Sequence, residues 1–308
     1  HHMPDVQIDF LVRQGNESII AALPFVNRVW VWNKKQGKYR NLLGILKKVR
    51  AEKYTRVVNL QRFFTSGLFT VFSRAKYTYG FDKNPLSMFF TQRVGHEIGN
   101  GLHETERNQL LIASFTDKVA MRPYLAIPDD AYEKIKAYKH NSYICIAPAS
   151  VWFTKQFPAH KWFEFISALP NDLQIYIIGG SGDSNVAQYF IEKSPERSIV
   201  DLCGKLSLLE SAALMQNAVM NYVNDSAPLH LCSGVNAPVR AVFCSTVPEF
   251  GFGPLSDDSA IVQVRETLAC RPCGLHGKKA CPLGNFACAE LIDTHTMAKE
   301  LSEILNTK

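Results

Sequence analysis

NYVNDSAPLHLCSG, residues 221–234, sets an apolar run against Asp225-Ser226, follows it at once with Ala227-Pro228, and places His230 four residues beyond Ser226. The run reads as a buried strand. The apolar segment after it reads as a helix, because Pro228 suits a first helical turn, where a missing N–H costs nothing. A strand that gives way to a helix through a short polar loop is one step of a parallel α/β sheet. Working outward, YICIAPAS (143–150), LQIYIIGG (173–180), SIVDLC (198–203), VMNYVN (219–224) and VRAVF (239–243) repeat the strand pattern, with helical patterns at 160–169, 183–193 and 207–216. The first half does the same with IDFLV (8–12), VWVW (29–32) and RVVNL (56–60). Between the last two, YRNLLGILKKVRAEKY (39–54) carries Leu42, Leu43, Leu46 and Val49 at helical spacing. Strands of this kind, apolar throughout, form parallel sheets covered on both faces. The expected fold is therefore α/β, with two Rossmann-like, doubly wound domains at 4–138 and 139–292 joined near AYKHNS (137–142), and a last helix within 293–308, from about Thr294 to Leu305.

A chain of 308 residues, 46% hydrophobic and 20% charged, can bury the core that two domains need. No apolar run reaches the roughly 20 residues of a membrane-spanning helix, so a soluble chain is expected. The opening His1-His2-Met3 reads as the remnant of an expression tag. The net charge of +6 is divided unevenly: residues 1–140 hold 22 basic against 12 acidic side chains, and residues 141–308 hold 12 against 16. The first half is thereby suited to an anionic partner such as nucleic acid, a phosphorylated lipid headgroup or a membrane surface, although solvated helix faces account for the same counts. Phe63-Phe64 and Phe89-Phe90 can contact lipid or pack a core.

In doubly wound sheets ligands bind at the carboxyl ends of the strands. Asp225 and Ser226 stand at such an end. Either can cap the helix that follows; equally, its unpaired N–H groups and positive dipole end make an anion site to which Ser226 adds a hydroxyl. His230 lies one turn in, on or near the same face. After the strand YICIAP, Ser150, Thr154 and Lys155 place two hydroxyls and a cation at a second strand end. The GGSGD loop (179–183) has glycines for a tight turn, Gly180 among them, and in Asp183 an acid able to reach a ribose hydroxyl, but it lacks the spaced third glycine of the dinucleotide fingerprint. Among eight cysteines, Cys145, Cys203, Cys232 and Cys244 fall in apolar segments and read as buried small hydrophobes. Cys270, Cys273, Cys281 and Cys288 in CRPCGLHGKKACPLGNFAC (270–288) can supply four thiolates to a structural zinc, with His276 as an alternative ligand; reduced thiols and disulfides are the other readings.

Taken in order, APASVWFTKQFPAHKW (147–162), IIGGSGD (177–183), DLCGKLSLLESAAL (201–214), NDSAPLHL (224–231) and FCSTVPEFGFGP (243–254) resemble the donor-binding half of glycosyltransferase family 9, the family of the ADP-heptose:lipopolysaccharide heptosyltransferases. Weaker similarity runs upstream through RVVNLQRFFTSGL (56–68), KYTYGF (76–81) and LHETERNQLL (102–111), so the resemblance covers nearly the whole chain. It implies the GT-B architecture, two Rossmann-like domains facing across a cleft, acceptor on the first and nucleotide-sugar on the second. It implies an inverting bacterial enzyme that moves heptose from ADP-heptose to a lipopolysaccharide inner-core acceptor, cytoplasmic and peripheral on the anionic inner membrane, needing no cofactor for the chemistry and no nucleic acid. Carried over by motif, Lys155 is the catalytic cation that neutralises the departing diphosphate. Asp225, Ser226 and the amides around Ala227 hold the diphosphate and sugar with His230 nearby, Ser150 and Thr154 line the same loop, and Gly180, Asp183 and Leu206 lie toward the ribose and base.

Two departures from the family stand out. Ala227-Pro228 follows the Asp-Ser pair where a glycine is usual, which alters the backbone at the clamp. The chain also begins at PDVQIDFLV (4–12), which resembles the family's second strand; the first strand and the Gly-Asp loop with its general base have no counterpart, and a segment left out ahead of this point is expected. Glu97, Glu104 and Glu106 are the candidate substitutes, each also suited to an ordinary surface or capping role. Another nucleotide-sugar transferase or epimerase of this fold, and an inactive sugar-nucleotide-binding or zinc-binding protein, are the rival readings.

Overall fold

The computed structural model describes residue 3 and residues 5–307. The chain forms two compact units, His1–Met121 and Arg122–Lys308. In the first, β1 (Ile8–Arg13) and β2 (Val26–Trp32) form a parallel pair, while β3 (Arg56–Asn59), β4 (Tyr77–Phe81) and β5 (Gln92–Val94) form a separate parallel sheet. β4 and β5 lie outside the strands expected from the apolar pattern. Gly80 inside β4 is needed because a Cβ there would come within 2.4 Å of the Phe90 ring, which packs on the strand. Helix Lys38–Glu52 buries Leu42, Ile45 and Val49 against Trp32 and Phe69, with Leu46 at the margin. Leu43 is exposed. One residue is 100° around a helix, so Leu43 stands beside the stripe and Ile45 takes the place expected for it.

The second unit carries a six-stranded parallel sheet: β6 (Tyr143–Ala147), β7 (Gln174–Ile177), β8 (Ile199–Asp201), β9 (Met220–Asn224), β10 (Val239–Phe243) and β11 (Ser259–Gln263), in the order β11-β10-β9-β6-β7-β8. Successive side chains of a strand point to opposite faces, and both faces here are apolar. Ile144, Ile146, Ile175, Ile177, Met220, Tyr222 and Val242 enter one core with helices Ala159–Ser167 and Thr294–Asn306; Tyr143, Cys145, Tyr176, Val223, Ala241 and Phe243 enter the other with helices Leu208–Gln216 and Ala227–Val235. That burial explains why these strands read as unbroken apolar runs. Cys145, Cys203, Cys232 and Cys244 are buried and unpaired, as expected of small core residues; burial pushes the Cys203 thiol up to about 12. Ahead of the sheet, Leu125 N–H donates to the Gly234 carbonyl at 2.8 Å and Arg122 to Asn236 and Asp257. Among the described residues, no helix is long and apolar enough to cross a membrane.

Candidate active site

β6 opens the second sheet. Its helix leads the chain toward β7 and β8, and the chain then returns to place β9 on β6's other side, so the strand order reverses between β6 and β9. A crevice at the carboxyl ends of two such strands is where doubly wound folds bind ligands. Here it holds Lys155 and Asp225, Nζ to Oδ2 at 2.7 Å, both largely buried. Thr246, from the loop after β10, donates to the same Oδ2 at 2.6 Å. Beneath them Asn224, fully buried, donates from Nδ2 to the Pro148 carbonyl at 2.7 Å and accepts from the Phe157 N–H at 3.1 Å. It therefore clips both ends of the loop that carries Ser150, Thr154 and Lys155.

Ser226 stands at the N-cap position of helix Ala227–Val235 with extended backbone and makes no side-chain cap. Its hydroxyl lies 3.4 Å from the Asn224 carbonyl. Asp225, turned to Lys155 and Thr246, makes no cap either, so the helix-capping explanation of this pair is not realised. Ala227 and His230 are exposed at the first turn and Ser226 is half-buried. Ser150 is half-buried, and its carbonyl accepts from Gln156 Nε2. Thr154 is different: 1% exposed, it accepts from Ser245 Oγ at 2.9 Å and Lys278 N–H at 2.7 Å, so it knots three loops together.

Gly180 and Asp183 follow β7, and Leu206 follows β8. Asp183 folds back so that Oδ2 accepts from the Gly180 N–H at 2.7 Å, and a Cβ on Gly179 would collide with that carboxylate at 2.7 Å. Gly204 N–H donates to the Gly179 carbonyl, which ties the two loops to each other. Leu206 is half-buried against the second core. These residues share the carboxyl edge with Lys155 and Asp225, on β6's other side. In the first unit, Glu104 pairs with Arg107 at 2.8 Å and Glu106 accepts from the His103 N–H in a capping box, while Glu97 is exposed.

Cys270, Cys273, Cys281 and Cys288 line one small enclosed cavity with Thr154 and Ser245. Yet among the described residues no group of three or more His, Cys, Asp or Glu is placed to hold a metal ion. Two of the thiols have backbone partners of their own. Cys273 Sγ donates to the Cys270 carbonyl at 3.3 Å. Cys281 is raised by its slight burial but held below the usual thiol range by the N–H groups of Phe286, Leu283, Gly284 and Asn285. Burial pushes Cys288 up to about 11. The geometry thus lends the expected zinc no support, and His276 is exposed. What the loop does is brace the site: Gly277, at φ +76°, lies against Lys155, Thr154 and Trp152, and Cys273 N–H donates to the Ser245 carbonyl.

Asn224, Thr246 and Gly277 are missing from the residues singled out in the sequence. Thr246 had a visible cue, the hydroxyl pair Ser245-Thr246 one residue past the apolar strand VRAVF. Asn224 is read as the last residue of the strand and Gly277 lies in a loop of many small residues, and neither pattern marks them.

The fold is that of solved glycosyltransferases. A family 9 glycosyltransferase from Veillonella parvula superposes with TM-score 0.81 at 18% identity, covering 98% of this chain and 89% of that one. The ADP-heptose lps heptosyltransferase II of Escherichia coli superposes with TM-score 0.78 at 16% identity, covering 99% and 91%. The two parallel-sheet units therefore share the GT-B fold of those enzymes. More particularly, the chain belongs to glycosyltransferase family 9 (heptosyltransferase), whose sequence model matches residues 42–283. It is similar to lipopolysaccharide heptosyltransferase 3 of Escherichia coli K12, 28% identical over an alignment 273 residues long that covers 79% of this chain and 75% of that protein.

Proposed function

We propose that this chain transfers heptose from ADP-heptose to a lipopolysaccharide inner-core acceptor, with inversion at the anomeric carbon, at the cytoplasmic face of the inner membrane. The observation that carries this reading is the Lys155–Asp225–Thr246 cluster beside a helix N-terminus that no side chain caps. Breaking the bond between the anomeric carbon and the diphosphate leaves new negative charge on a phosphate oxygen, and fixed donors aimed at that charge lower the barrier. Lys155 supplies an ammonium with three donors, and the amide of Ala227 adds the helix's positive end. Ser150 and Ser226 supply hydroxyls, with His230 one turn further on. A carboxylate repels phosphate, so Asp225 holds Lys155 in place and accepts from a hydroxyl of the sugar. Asp183 and Leu206 meet the ribose and adenine. The acceptor oxygen bonds the anomeric carbon on the face opposite the diphosphate as the bond from that carbon to the diphosphate oxygen breaks, and the acceptor's proton passes to water.

Calorimetric titration with ADP, UDP, GDP and dTDP tests the donor half. ADP is expected to bind best, and Lys155→Ala to weaken it about tenfold or more, the order of a charge-assisted contact. Asp225→Ala is expected to weaken it by freeing Lys155 from its pairing geometry. Preference for another nucleotide assigns a different donor; parent-like binding by both variants removes this site from donor recognition.

A further inference from the structure

β10 loses its neighbours at its carboxyl end. Its ladder to β9 stops at Val242, opposite Asn224, and its ladder to β11 stops at Phe243, opposite Gln263. The next residues, Cys244, Ser245 and Thr246, are at most 1% exposed, so their carbonyls need partners inside the protein. Arg271 and Cys273 supply them. Arg271 Nε donates to the Cys244 carbonyl at 2.7 Å, and Nη2 reaches the Thr246 carbonyl at 2.8 Å, the Phe243 carbonyl at 3.2 Å and the Gln263 side chain at 2.7 Å. Cys273 N–H donates to the Ser245 carbonyl at 2.9 Å. The carbonyls of Phe243 to Thr246 are thus all held from one short stretch of the Cys-rich loop, and the planar guanidinium fork does the work of an absent strand.

That grip sets where Thr246 stands. Its hydroxyl donates to Asp225 Oδ2 at 2.6 Å, and the same oxygen meets Lys155 Nζ at 2.7 Å. A shift of the Thr246 backbone therefore moves a partner of the carboxylate, and the ammonium follows. The oxygens that Arg271 bonds are all neutral. Its geometry is spent on placing a backbone, not on pairing a charge.

We infer that Arg271 is a positioning residue for the sugar-bearing phosphate of the donor: by fixing Thr246 it holds Asp225 and Lys155 where that phosphate is met. The inference rests on the donor reading proposed above. It acts through Thr246, so its effect falls on one end of the nucleotide. ADP and AMP share adenine, ribose and the first phosphate and differ only in the second, which carries the sugar in the donor. The ratio of their affinities therefore reads that end alone, whereas a general loosening of the unit weakens both nucleotides alike.

The test is calorimetric titration of the full chain with ADP and with AMP, alongside Arg271→Gln, Arg271→Lys and Thr246→Val variants, with thermal melting of each protein. The parent is expected to favour ADP about tenfold or more, the order of one hydrogen bond to a charged group. Arg271→Gln is expected to erase most of that preference and to leave AMP affinity within about twofold of the parent. Arg271→Lys keeps the charge but loses the planar fork. It is expected to melt closer to the parent and still to lose the preference several-fold, so the inference stays testable if the glutamine variant does not fold. Thr246→Val removes the hydroxyl through which Arg271 acts, and adding Arg271→Lys to it should change the preference no further. Equal weakening of both nucleotides, parent-like preference in Arg271→Lys, or full additivity with Thr246→Val overturns the inference. A parent preference erased by Lys155→Ala but kept by both Arg271 variants defeats this inference alone. A parent that binds neither nucleotide, or binds both equally, defeats the donor reading of the Lys155 cluster and this inference with it.

Discussion

Asn224 decides where Lys155 can stand. Its side chain bonds Pro148 and Phe157, which flank the Lys155 loop, and its burial leaves no water to replace either bond. Asn224→Ala leaves a buried carbonyl and a buried N–H unpaired, each costing about 1–3 kcal/mol. The variant is expected to melt earlier than the parent and to bind ADP more weakly, because Lys155 loses its fixed position. Asn224→Asp keeps the acceptor for Phe157 but not the donor for Pro148 and should fall between. Thermal melting with calorimetry checks both, and an Asn224→Ala protein that melts with the parent refutes the clip. At this scale legibility followed contrast. Asp225 and Ser226 were visible because polar groups break an apolar run, and Lys155, one of 34 basic residues, was visible through its position after a strand. Asn224 belongs to the strand pattern itself. Thr154 was expected to face ligand because hydroxyls at strand ends commonly do; only the tertiary fold brings Ser245 and Lys278 over it.

Among the elements, β6 to β10 were readable because the faces of the sheet are buried, which removes polar interruptions, while the edge strand β11, only partly buried along its length, was not. The short β4 and β5 were not: YTYGF contains a glycine required by Phe90, and β5 has only three residues, QRV. In the Cys-rich loop, CxxC spacing suggested a metal, but spacing fixes neighbours along the chain and not the directions of the thiols. The loop's visible task is contact with Lys155 through Gly277, whose φ of +76° lies in the left-handed region and whose absent Cβ leaves room for Lys155 Cγ, 2.9 Å from where it would stand. Gly277→Ala adds both a strained backbone, about 1–3 kcal/mol, and a push on the lysine stem. ADP affinity is expected to fall several-fold, with a modest drop in melting temperature. Gly274→Ala is the matched control: it is equally left-handed, but a Cβ there meets nothing within 4 Å. If both variants lose ADP affinity alike, backbone strain alone is responsible and the brace against Lys155 is refuted.

For the whole molecule, every residue assigned to the donor belongs to Arg122–Lys308, a unit with a six-stranded sheet covered on both faces. Such a unit contains what folding requires. The position of its start is set by the segment before β6. Leu125 bonds Gly234, where a Cβ would collide with the Leu125 side chain at 2.6 Å; Ile135 is fully buried in the second core; and Leu125, Ile127 and Tyr132 pack at that core's margin. The composition of AYKHNS suggested a junction near 137–142, because polar residues precede the strand, but composition cannot show that a helix upstream covers the sheet. A fragment of residues 122–308 is therefore expected to unfold cooperatively and to bind ADP within about threefold of the full chain, a difference under 1 kcal/mol. A fragment of residues 139–308 loses Ile135 and its neighbours from the core. Full burial of one such side chain contributes about 1.5–3 kcal/mol, so this fragment should be several kcal/mol less stable. Urea denaturation of the two fragments, followed by ADP titration, separates the cases. Equal stability would move the boundary to 138/139 and make the segment from Arg122 to Tyr138 dispensable to the second unit; loss of ADP binding by residues 122–308, folded as in the full chain, would mean that the first unit completes the donor site.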